Sequence, residues 1–169
     1  DDASPSAQTR LLLEAVARDE PRIRLAFHAK NKHISHATNT AIGLARGQYI
    51  AFLDHDDELR EHALLTVVQM FVNHPGLKVL YSDEDKIDQS GVRFDPYFKP
   101  DFNLGLLRSH NYMCHFAVYE RGLIDQLGGL RPGFEGAQDY DLALRAVDAV
   151  HPHEIGHVSK VLYHWRTAT

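Results

Sequence analysis

The chain has 169 residues, 44% of them hydrophobic, which is enough for one globular domain with a sizeable core. Its 18 Lys and Arg against 23 Asp and Glu give a formal net charge of −5, which argues against a nucleic-acid partner. The lone Cys114 excludes an internal disulfide, and no run approaches the roughly 20 apolar residues that span a bilayer.

The predicted elements begin with a helix. Ser4 followed by Pro5 predicts its start, because a serine hydroxyl can cap a helix and proline fits the first helical position. We expect this helix to end near Arg18. The next elements are a strand, a helix, a second strand and an amphipathic helix, at residues 22–27, 34–44, 49–53 and 64–71.

The second half of the chain continues this alternation. It predicts strands at residues 78–82 and 114–119, an irregular loop or small hairpin at 88–101, and helices at 121–129 and 137–150. The following stretch "HPHEIGH" has no compact zinc spacing, so a loop is favoured. Strands that alternate with helices predict an α/β domain built on a mostly parallel sheet.

A cluster of carboxylates follows the second apolar strand, in "YIAFLDHDDEL". Asp57 and Glu58 have a structural explanation, since they could cap the next helix and face its positive end. Asp54 and Asp56 do not, because clustered carboxylates repel one another unless a cation or a donor-rich ligand compensates them. An aspartate pair at a strand end can hold Mg²⁺ or Mn²⁺ against a diphosphate. A calcium-binding EF-hand loop is excluded, since Leu59 stands where that loop needs glycine.

A second acidic cluster lies in "EGAQDYDLALR". Helical spacing puts Asp139 on the apolar face with Leu142. Asp141 points to the surface four residues before Arg145, with which we expect an ion pair. Asp139 has two interpretations: a carboxylate that interacts with the helix dipole, or a proton acceptor made more basic by partial burial.

The stretch "VLYHWR" near the end of the chain offers three further candidates. His164 could bind a metal, Arg166 could bind a phosphate in a bidentate manner, and Trp165 could pack or stack. A histidine beside aromatic residues is more often a packed, hydrogen-bonded residue, so this stretch alone leaves both interpretations open.

Taken in order, five stretches resemble the family 2 glycosyltransferases, especially the rhamnosyltransferase-like bacterial branch that builds O-antigens and other surface polysaccharides. They are "NKHISHATNTAIGLARGQYIAFLDHDDEL", "YSDEDKID", "PYFKPDFN", "GAQDYDLALR" and "VLYHWR". The resemblance implies a GT-A fold over residues 1–169, a Rossmann-like three-layer α/β/α catalytic domain with a mostly parallel central sheet. Members normally have a strand, a helix and a second strand before "DDAS", so we expect a domain that lacks its first strands.

The resemblance also implies an activity, the transfer of a hexosyl or rhamnosyl group with inversion. The donor would be a UDP- or dTDP-linked sugar, and the acceptor a saccharide or lipid-linked saccharide. We expect a cytoplasmic protein, either free or at the inner face of the plasma membrane. Two other classes stay open: a glycoside hydrolase, which uses two carboxylates but needs no cation, and a catalytically inactive fragment or carbohydrate-binding module of the same fold.

The base and the metal ligands follow from the family's motifs. Asp139, at the aspartate of the "ED" motif, would be the general base, although Gln138 stands where many members have Glu. The divalent cation, Mn²⁺ or Mg²⁺, would be held by Asp54, Asp56 and His164.

The remaining implied contacts are with the donor and the acceptor. Asp1 or Asp2 would contact the base of the nucleotide sugar. Asp54 would contact its ribose, and Arg166 its diphosphate. Asp83 and Glu84 would line the sugar or acceptor side. The alternative is that this carboxylate pair beside Lys86 is only a solvated turn.

Overall fold

The computed structural model describes residues 1–167, which have an α/β architecture. The helices are α1 (Ala7–Asp19), α2 (His33–Leu44), α3 (Ala63–Asn73), α4 (Leu104–Leu107), α5 (Arg121–Leu127) and α6 (Gln138–Ala149). The strands are β1 (Tyr49–Ala51), β2 (Glu58–Leu59), β3 (Val79–Ile87), β4 (Arg93–Tyr97), β5 (Ala117–Glu120) and β6 (Ile155–Arg166). No helix in this described part has the length and apolar character needed to cross a membrane.

Two compact units make up the described chain, and the first comprises residues 1–47 and 128–142. Asn39 of α2 joins the two stretches: its Nδ2 donates to the Leu130 carbonyl at 2.7 Å, and its Oδ1 accepts from the Leu130 N–H at 2.8 Å. Gly129 precedes Leu130 in the left-handed region, with φ of 72°. A Cβ there would lie 2.4 Å from Asn39 Oδ1, so the close approach requires glycine.

The predicted strand at residues 22–27 is absent from this unit. Within this segment, the Ile23 N–H donates to the Glu20 carbonyl at 3.0 Å, and the Ala26 carbonyl accepts from the Asp1 amine at 2.8 Å. The residue after the segment, His28, donates its N–H to the Asp1 carbonyl at 3.0 Å. Pairing with a single residue does not extend into a strand ladder. The alternation of polar and apolar residues at 22–27 does not correspond to a strand among the described residues.

The start of the first helix also differs from the prediction. α1 begins at Ala7 after Ser6, not behind Ser4. The N–H of Ser4 donates to the carboxylate of Asp1 at 2.9 Å, which forms a side-chain turn ahead of the helix.

The second unit comprises residues 48–127 and the described residues from 143 onward, and it contains the whole sheet. The strand order is β1-β5-β3-β6-β2, with β4 paired to β3. β3 and β6 run parallel, whereas the other four pairings are antiparallel, so the expected mostly parallel sheet is wrong for the described residues. The turn between β3 and β4 is too short for the crossover that a parallel pair requires. β5 is antiparallel to both of its neighbours, β1 and β3.

The core of the second unit lies where α3 packs on the sheet. Ala63, Val67 and Phe71 recur every four residues and form the buried face of this helix. The remaining members of the core come from the approach to β3, from β3 itself, from β5 and its approach, and from β6. They are Leu77, Leu80, Phe116, Val118, Val158, Leu162 and Tyr163.

β3 is longer than the sequence predicted, and β6 is a strand that the sequence did not predict. The predicted third strand ended at residue 82, yet pairing with β6 continues to Ile87. The loop expected at "HPHEIGH" is wrong from Ile155 onward, because β6 begins there. Charged and histidine side chains inside the strands broke the apolar pattern. They are tolerated because they face one another across the sheet, as Asp85 and His164 do.

Candidate functional site

The acidic loop after β1 is fixed by the end of β6. The Tyr163 hydroxyl accepts from the Asp54 N–H at 3.3 Å and donates to Asp57 Oδ2. Asp57 Oδ1 accepts from the N–H of Arg166 at 2.8 Å. The helix-cap interpretation of Asp57 is therefore wrong, since α3 begins only at Ala63 and β2 intervenes. These contacts fix the backbone of Asp54 and the carboxylate of Asp57.

Asp54, Asp57 and His115 form a group of side chains that could hold a metal ion. One ligand atom from each lies within 4.8 Å of the others. His115 Nε2 is 3.4 Å from Asp54 Oδ2, and its ring stacks on Tyr163 with the ring centroids 4.7 Å apart. The Asp54 side chain is 54% exposed, so the group is open to solvent. Two carboxylates and an imidazole with an open side suit a divalent cation that also binds a ligand.

The electrostatics of this group favour the ionised form of Asp54. Burial alone would lower the pKa of His115, but the hydrogen bond with Asp54 and the charge of Glu84 outweigh it and raise this pKa. His115 in turn holds the pKa of Asp54 below its usual value. Burial and the hydrogen bond to Asp57 raise the pKa of Tyr163, so its hydroxyl keeps its proton. Asp54 is thus available as an anionic ligand at neutral pH.

Two of the metal ligands predicted from the sequence, Asp56 and His164, lie outside this group. The Asp56 side chain is 57% exposed, with Oδ1 3.7 Å from His55 Nδ1. His164 is buried, and its Nδ1 hydrogen-bonds to Asp85 Oδ1. Of the two interpretations that the sequence left open for His164, the structure therefore favours the packed, hydrogen-bonded histidine.

The three consecutive acids of "YSDED" lie inside β3, so the solvated-turn alternative for Asp83 and Glu84 is wrong. Each acid faces its own basic partner within 3.3 Å, in the pairs Asp83 with His157, Glu84 with Lys99, and Asp85 with Arg93. The Lys99 side chain is completely buried, and burial lowers its pKa against the opposing charge of Glu84. Each acid of β3 therefore has a hydrogen-bonding or ion-pairing partner within the protein.

Arg166, which the sequence assigned to a diphosphate, contacts the chain itself. Its Nε donates to the Asp56 carbonyl at 2.8 Å and its NH1 to the Asp88 carbonyl at 3.1 Å, while its NH2 forms an ion pair with Glu58. These contacts place its guanidinium beside the acidic loop.

The predicted nucleotide contacts Asp1 and Asp2 lie in the first unit. Asp2 Oδ1 is 2.6 Å from His28 Nδ1, and the two carboxylate oxygens accept from the Lys32 N–H at 3.0 and 2.9 Å. Burial alone would raise the pKa of Asp2, but the hydrogen bonds from His28 and from the backbone lower it. The other ring nitrogen of His28 is 2.9 Å from Thr40 Oγ1. Asp2 therefore orders the segment between residue 28 and α2.

Asp139 lies half-buried in the first turn of α6, as helical spacing predicted. The preceding Gln138 accepts from the Gly136 N–H at 2.6 Å. Asp141 is not at the surface: its side chain is 6% exposed and pairs with Arg131. The predicted surface position of Asp141 is wrong, because the loop before the helix supplies the positive charge that permits burial.

Sequence reasoning missed His115 and misread Asp57. His115 stands in the apolar stretch "CHFAVY", and local spacing does not connect it with the acidic loop. Only the pairing of strands brings the two together. The one sequence feature that could have identified His115 is that it is an ionisable residue within a stretch typical of a buried strand.

Comparison with known proteins gives a family. The profile of glycosyl transferase family 2 matches residues 1–128. The O-antigen biosynthesis protein RfbC of Myxococcus xanthus is 42% identical over 166 residues, which cover 98% of this chain and 13% of that protein. The chain thus spans a small part of this curated relative.

Solved structures show the same fold. TarS of S. aureus in complex with UDP-GlcNAc aligns with a TM-score of 0.77 at 17% identity, over 100% of this chain and 48% of that one. The mannosyltransferase PcManGT of Pyrobaculum calidifontis, in complex with GDP-Man and Mn²⁺, aligns with a TM-score of 0.63 at 19% identity, over 94% and 46%. The predicted GT-A class is confirmed. The chain is a glycosyltransferase domain and belongs to glycosyl transferase family 2.

Proposed function

We propose that this domain is the catalytic part of a metal-assisted, inverting glycosyltransferase of bacterial surface-polysaccharide synthesis. It would move a sugar from a nucleoside diphosphate to an acceptor hydroxyl. The observation that carries the proposal is the group Asp54, Asp57 and His115 beyond the carboxyl end of β1. Ligands of open α/β sheets bind beyond the carboxyl ends of the strands.

The similar proteins support the donor class and the pathway. TarS binds UDP-GlcNAc, and PcManGT binds GDP-Man with Mn²⁺. RfbC is named for O-antigen biosynthesis. UDP-GlcNAc and GDP-Man are both nucleotide-diphosphate sugars. A cation held by Asp54, Asp57 and His115 would suit the diphosphate of such a donor.

The cation site has two candidate ligand sets that share Asp54. Geometry supports Asp57 and His115 as the other members, whereas the family's motifs support Asp56 and His164. When bound, a divalent cation supplies Lewis-acid stabilisation of the negative charge on the leaving diphosphate. The chain's own part is to present Asp54 in its ionised form, which the hydrogen bond from His115 favours.

Asp139 is the proposed general base. Inversion requires in-line attack by the acceptor oxygen on the anomeric carbon, opposite the leaving diphosphate, so a carboxylate must take the acceptor's proton. The first turn of α6 holds Asp139 half-buried, so fewer water molecules compete with the acceptor hydroxyl for its carboxylate.

A thermal-shift titration with UDP and dTDP, with and without Mn²⁺, tests the donor site. A ligand at about 100 times its dissociation constant adds about 2.7 kcal/mol of stability, which raises the midpoint by roughly 2–4 °C per kcal/mol in a domain of this size. We expect a shift that needs the cation and is lost in Asp54→Ala.

Four further variants separate the two ligand sets. Loss of the cation-dependent shift in Asp57→Ala and His115→Ala, but not in Asp56→Ala and His164→Ala, supports the geometric set, and the reverse supports the motif set. Each variant is compared with itself without ligand, so a lower basal midpoint does not confuse the result. No shift with either nucleotide, or a shift that ignores the cation, would contradict the proposal.

A further inference from the structure

A separate cavity of 280 Å³ lies among β3, β4 and β6 in the second unit. Its lining includes Glu84, Lys86, Asp95, Tyr97 and Trp165. The volume is slightly below the roughly 300 Å³ at which pockets for drug-sized molecules begin, so it suits a ligand of about one sugar ring. We call it the Trp165 cavity.

Aromatic rings form the apolar part of the Trp165 cavity. Trp165, the single tryptophan of the chain, is 47% exposed, and Tyr97 is 37% exposed. Lys86 lies opposite Trp165 in the sheet register, and its Nζ is 5.8 Å from the Trp165 ring centroid. Lys86 is also paired with Asp95. Strand pairing and these contacts hold a large, partly exposed ring in one place, which is the property of a binding platform.

The polar part of the Trp165 cavity is rich in acceptors and balanced in charge. Three carboxylates line it, and each has a cationic partner: Glu84 has Lys99, Asp85 has Arg93 and Asp95 has Lys86. Asp95 stands at a register shift between β3 and β4 with φ of 49°, a bulge geometry that re-aims its side chain. Because each carboxylate has its own cation, the cavity offers no net charge to a phosphate or a metal ion. Fixed carboxylate oxygens can still accept hydrogen bonds from hydroxyl groups.

We propose that the Trp165 cavity binds a neutral pyranose ring of the acceptor saccharide. The C–H face of the sugar would lie on Trp165, and its hydroxyls would donate to Glu84 and Asp95. The inference rests on the proposed function and adds an acceptor contact to it. Glu84 makes the connection, since its Oε2 also accepts from the N–H of His115, a member of the ligand group.

Intrinsic fluorescence tests this directly, because Trp165 is the only tryptophan in the sequence. The purified protein is titrated with methyl glycosides of glucose, galactose, mannose, rhamnose, N-acetylglucosamine and N-acetylgalactosamine. We expect a saturable change in emission with at least one of them. Asp95→Ala and Tyr97→Ala should each weaken that binding at least about tenfold, a loss of about 1.4 kcal/mol.

Leu65→Ala is the matched control, because Leu65 is an exposed residue of α3 and does not line the cavity. Its titration should equal that of the unaltered protein. Absence of a saturable change with all six glycosides overturns the proposal, and so does a change that neither Asp95→Ala nor Tyr97→Ala weakens.

Two comparisons separate the acceptor from the donor. If UDP-GlcNAc with Mn²⁺ abolishes the glycoside response and UDP with Mn²⁺ does not, the cavity holds the donor's sugar and the acceptor assignment is overturned. Trp165→Ala removes the fluorophore, so its glycoside binding is measured by titration calorimetry instead, where it should be lost while the UDP-dependent thermal shift is kept. A glycoside response without any nucleotide shift in the unaltered protein would contradict the proposed function and leave a saccharide-binding cavity.

Discussion

Asp139 is the side chain on which the proposed chemistry depends most. Asp139→Asn keeps the shape of the carboxylate but removes its ability to take a proton. We expect the release of nucleoside diphosphate from the nucleotide sugar to fall about 10²–10⁴-fold, while the nucleotide-dependent thermal shift is unchanged. Asp148→Asn, on an exposed carboxylate of the same helix, is the control. A normal rate in Asp139→Asn would exclude the base role.

Asp2 gives a prediction about pH. Its pKa is lowered in the folded chain by His28 and backbone donors, which outweigh the opposing effect of burial. Such a group stabilises the folded state above its unfolded pKa of about 3.8, and this contribution is lost as pH falls through the folded pKa. Asp2→Asn should therefore lower the unfolding midpoint near neutral pH.

The difference between Asp2→Asn and the unaltered protein should shrink once the pH falls below about 4. Thermal unfolding followed by circular dichroism, from neutral pH down to about pH 3, measures it. Asp19→Asn removes an exposed carboxylate of the same type and is the control variant. A difference for Asp2→Asn that grows toward acid pH would contradict the assignment.

Single residues could be predicted from the sequence where a local pattern specifies them. Asp139 is an example, since helical spacing alone predicts its place in the first turn of α6. His115 and Lys99 could not be predicted, because their partners are distant in sequence and meet them only through sheet pairing. Asp57 fell between these cases. Its position before a helix suggested a cap, but its carboxylate is held by two donors of β6, the Tyr163 hydroxyl and the Arg166 backbone N–H.

The loop between α5 and α6 gives a prediction at the scale of one element. Gly128 and Gly129 both have positive φ, 73° and 72°, and alanine in the left-handed region costs about 1–2 kcal/mol. A Cβ at 128 meets nothing within 4 Å, whereas one at 129 would lie 2.4 Å from Asn39 Oδ1. Gly129→Ala should therefore destabilise the protein by clearly more than Gly128→Ala.

Urea unfolding of the two alanine variants measures the difference. The extra loss at Gly129 should approach the worth of the two hydrogen bonds between Asn39 and Leu130, about 1 kcal/mol each. Equal losses of stability in the two variants would show that Asn39 can move away from residue 129 at no cost. The contact between Gly129 and Asn39 would then not stabilise the first unit.

Whole elements followed the same rule as single residues. The bounds of α2, α3, α5 and α6 were predictable because an apolar face repeats along each helix. The second half of β3 and most of β6 were not, since buried charges interrupt their apolar pattern. Residues 22–27 show the opposite failure: their alternation is typical of a strand, but they form no strand among the described residues.

At the scale of the whole molecule, buried charge is concentrated around β3. The chain carries a net charge of −5, and its buried polar residues include Asp83, Asp85, Lys99 and His164. Buried ion pairs contribute little net stability because desolvation offsets their attraction. Their effect here is positional: they hold Glu84 between His115 and the Trp165 cavity, where the proposed cation and acceptor sites adjoin.

Lys99 provides the test of this arrangement. Lys99→Met keeps an apolar stem of similar size but leaves Glu84 without its buried partner, so we expect a loss of about 3–5 kcal/mol. In the double variant Lys99→Met and Glu84→Gln both charges are gone, and it should be more stable than Lys99→Met alone. Urea unfolding of the unaltered protein, of Lys99→Met, of Glu84→Gln and of the double variant gives the coupling energy between the two side chains. Lys78→Met removes a more exposed ion pair with Glu154 and should cost much less. If Lys99→Met costs no more than Lys78→Met, the buried pair does not hold Glu84 in place, and the link between the two sites must come from elsewhere.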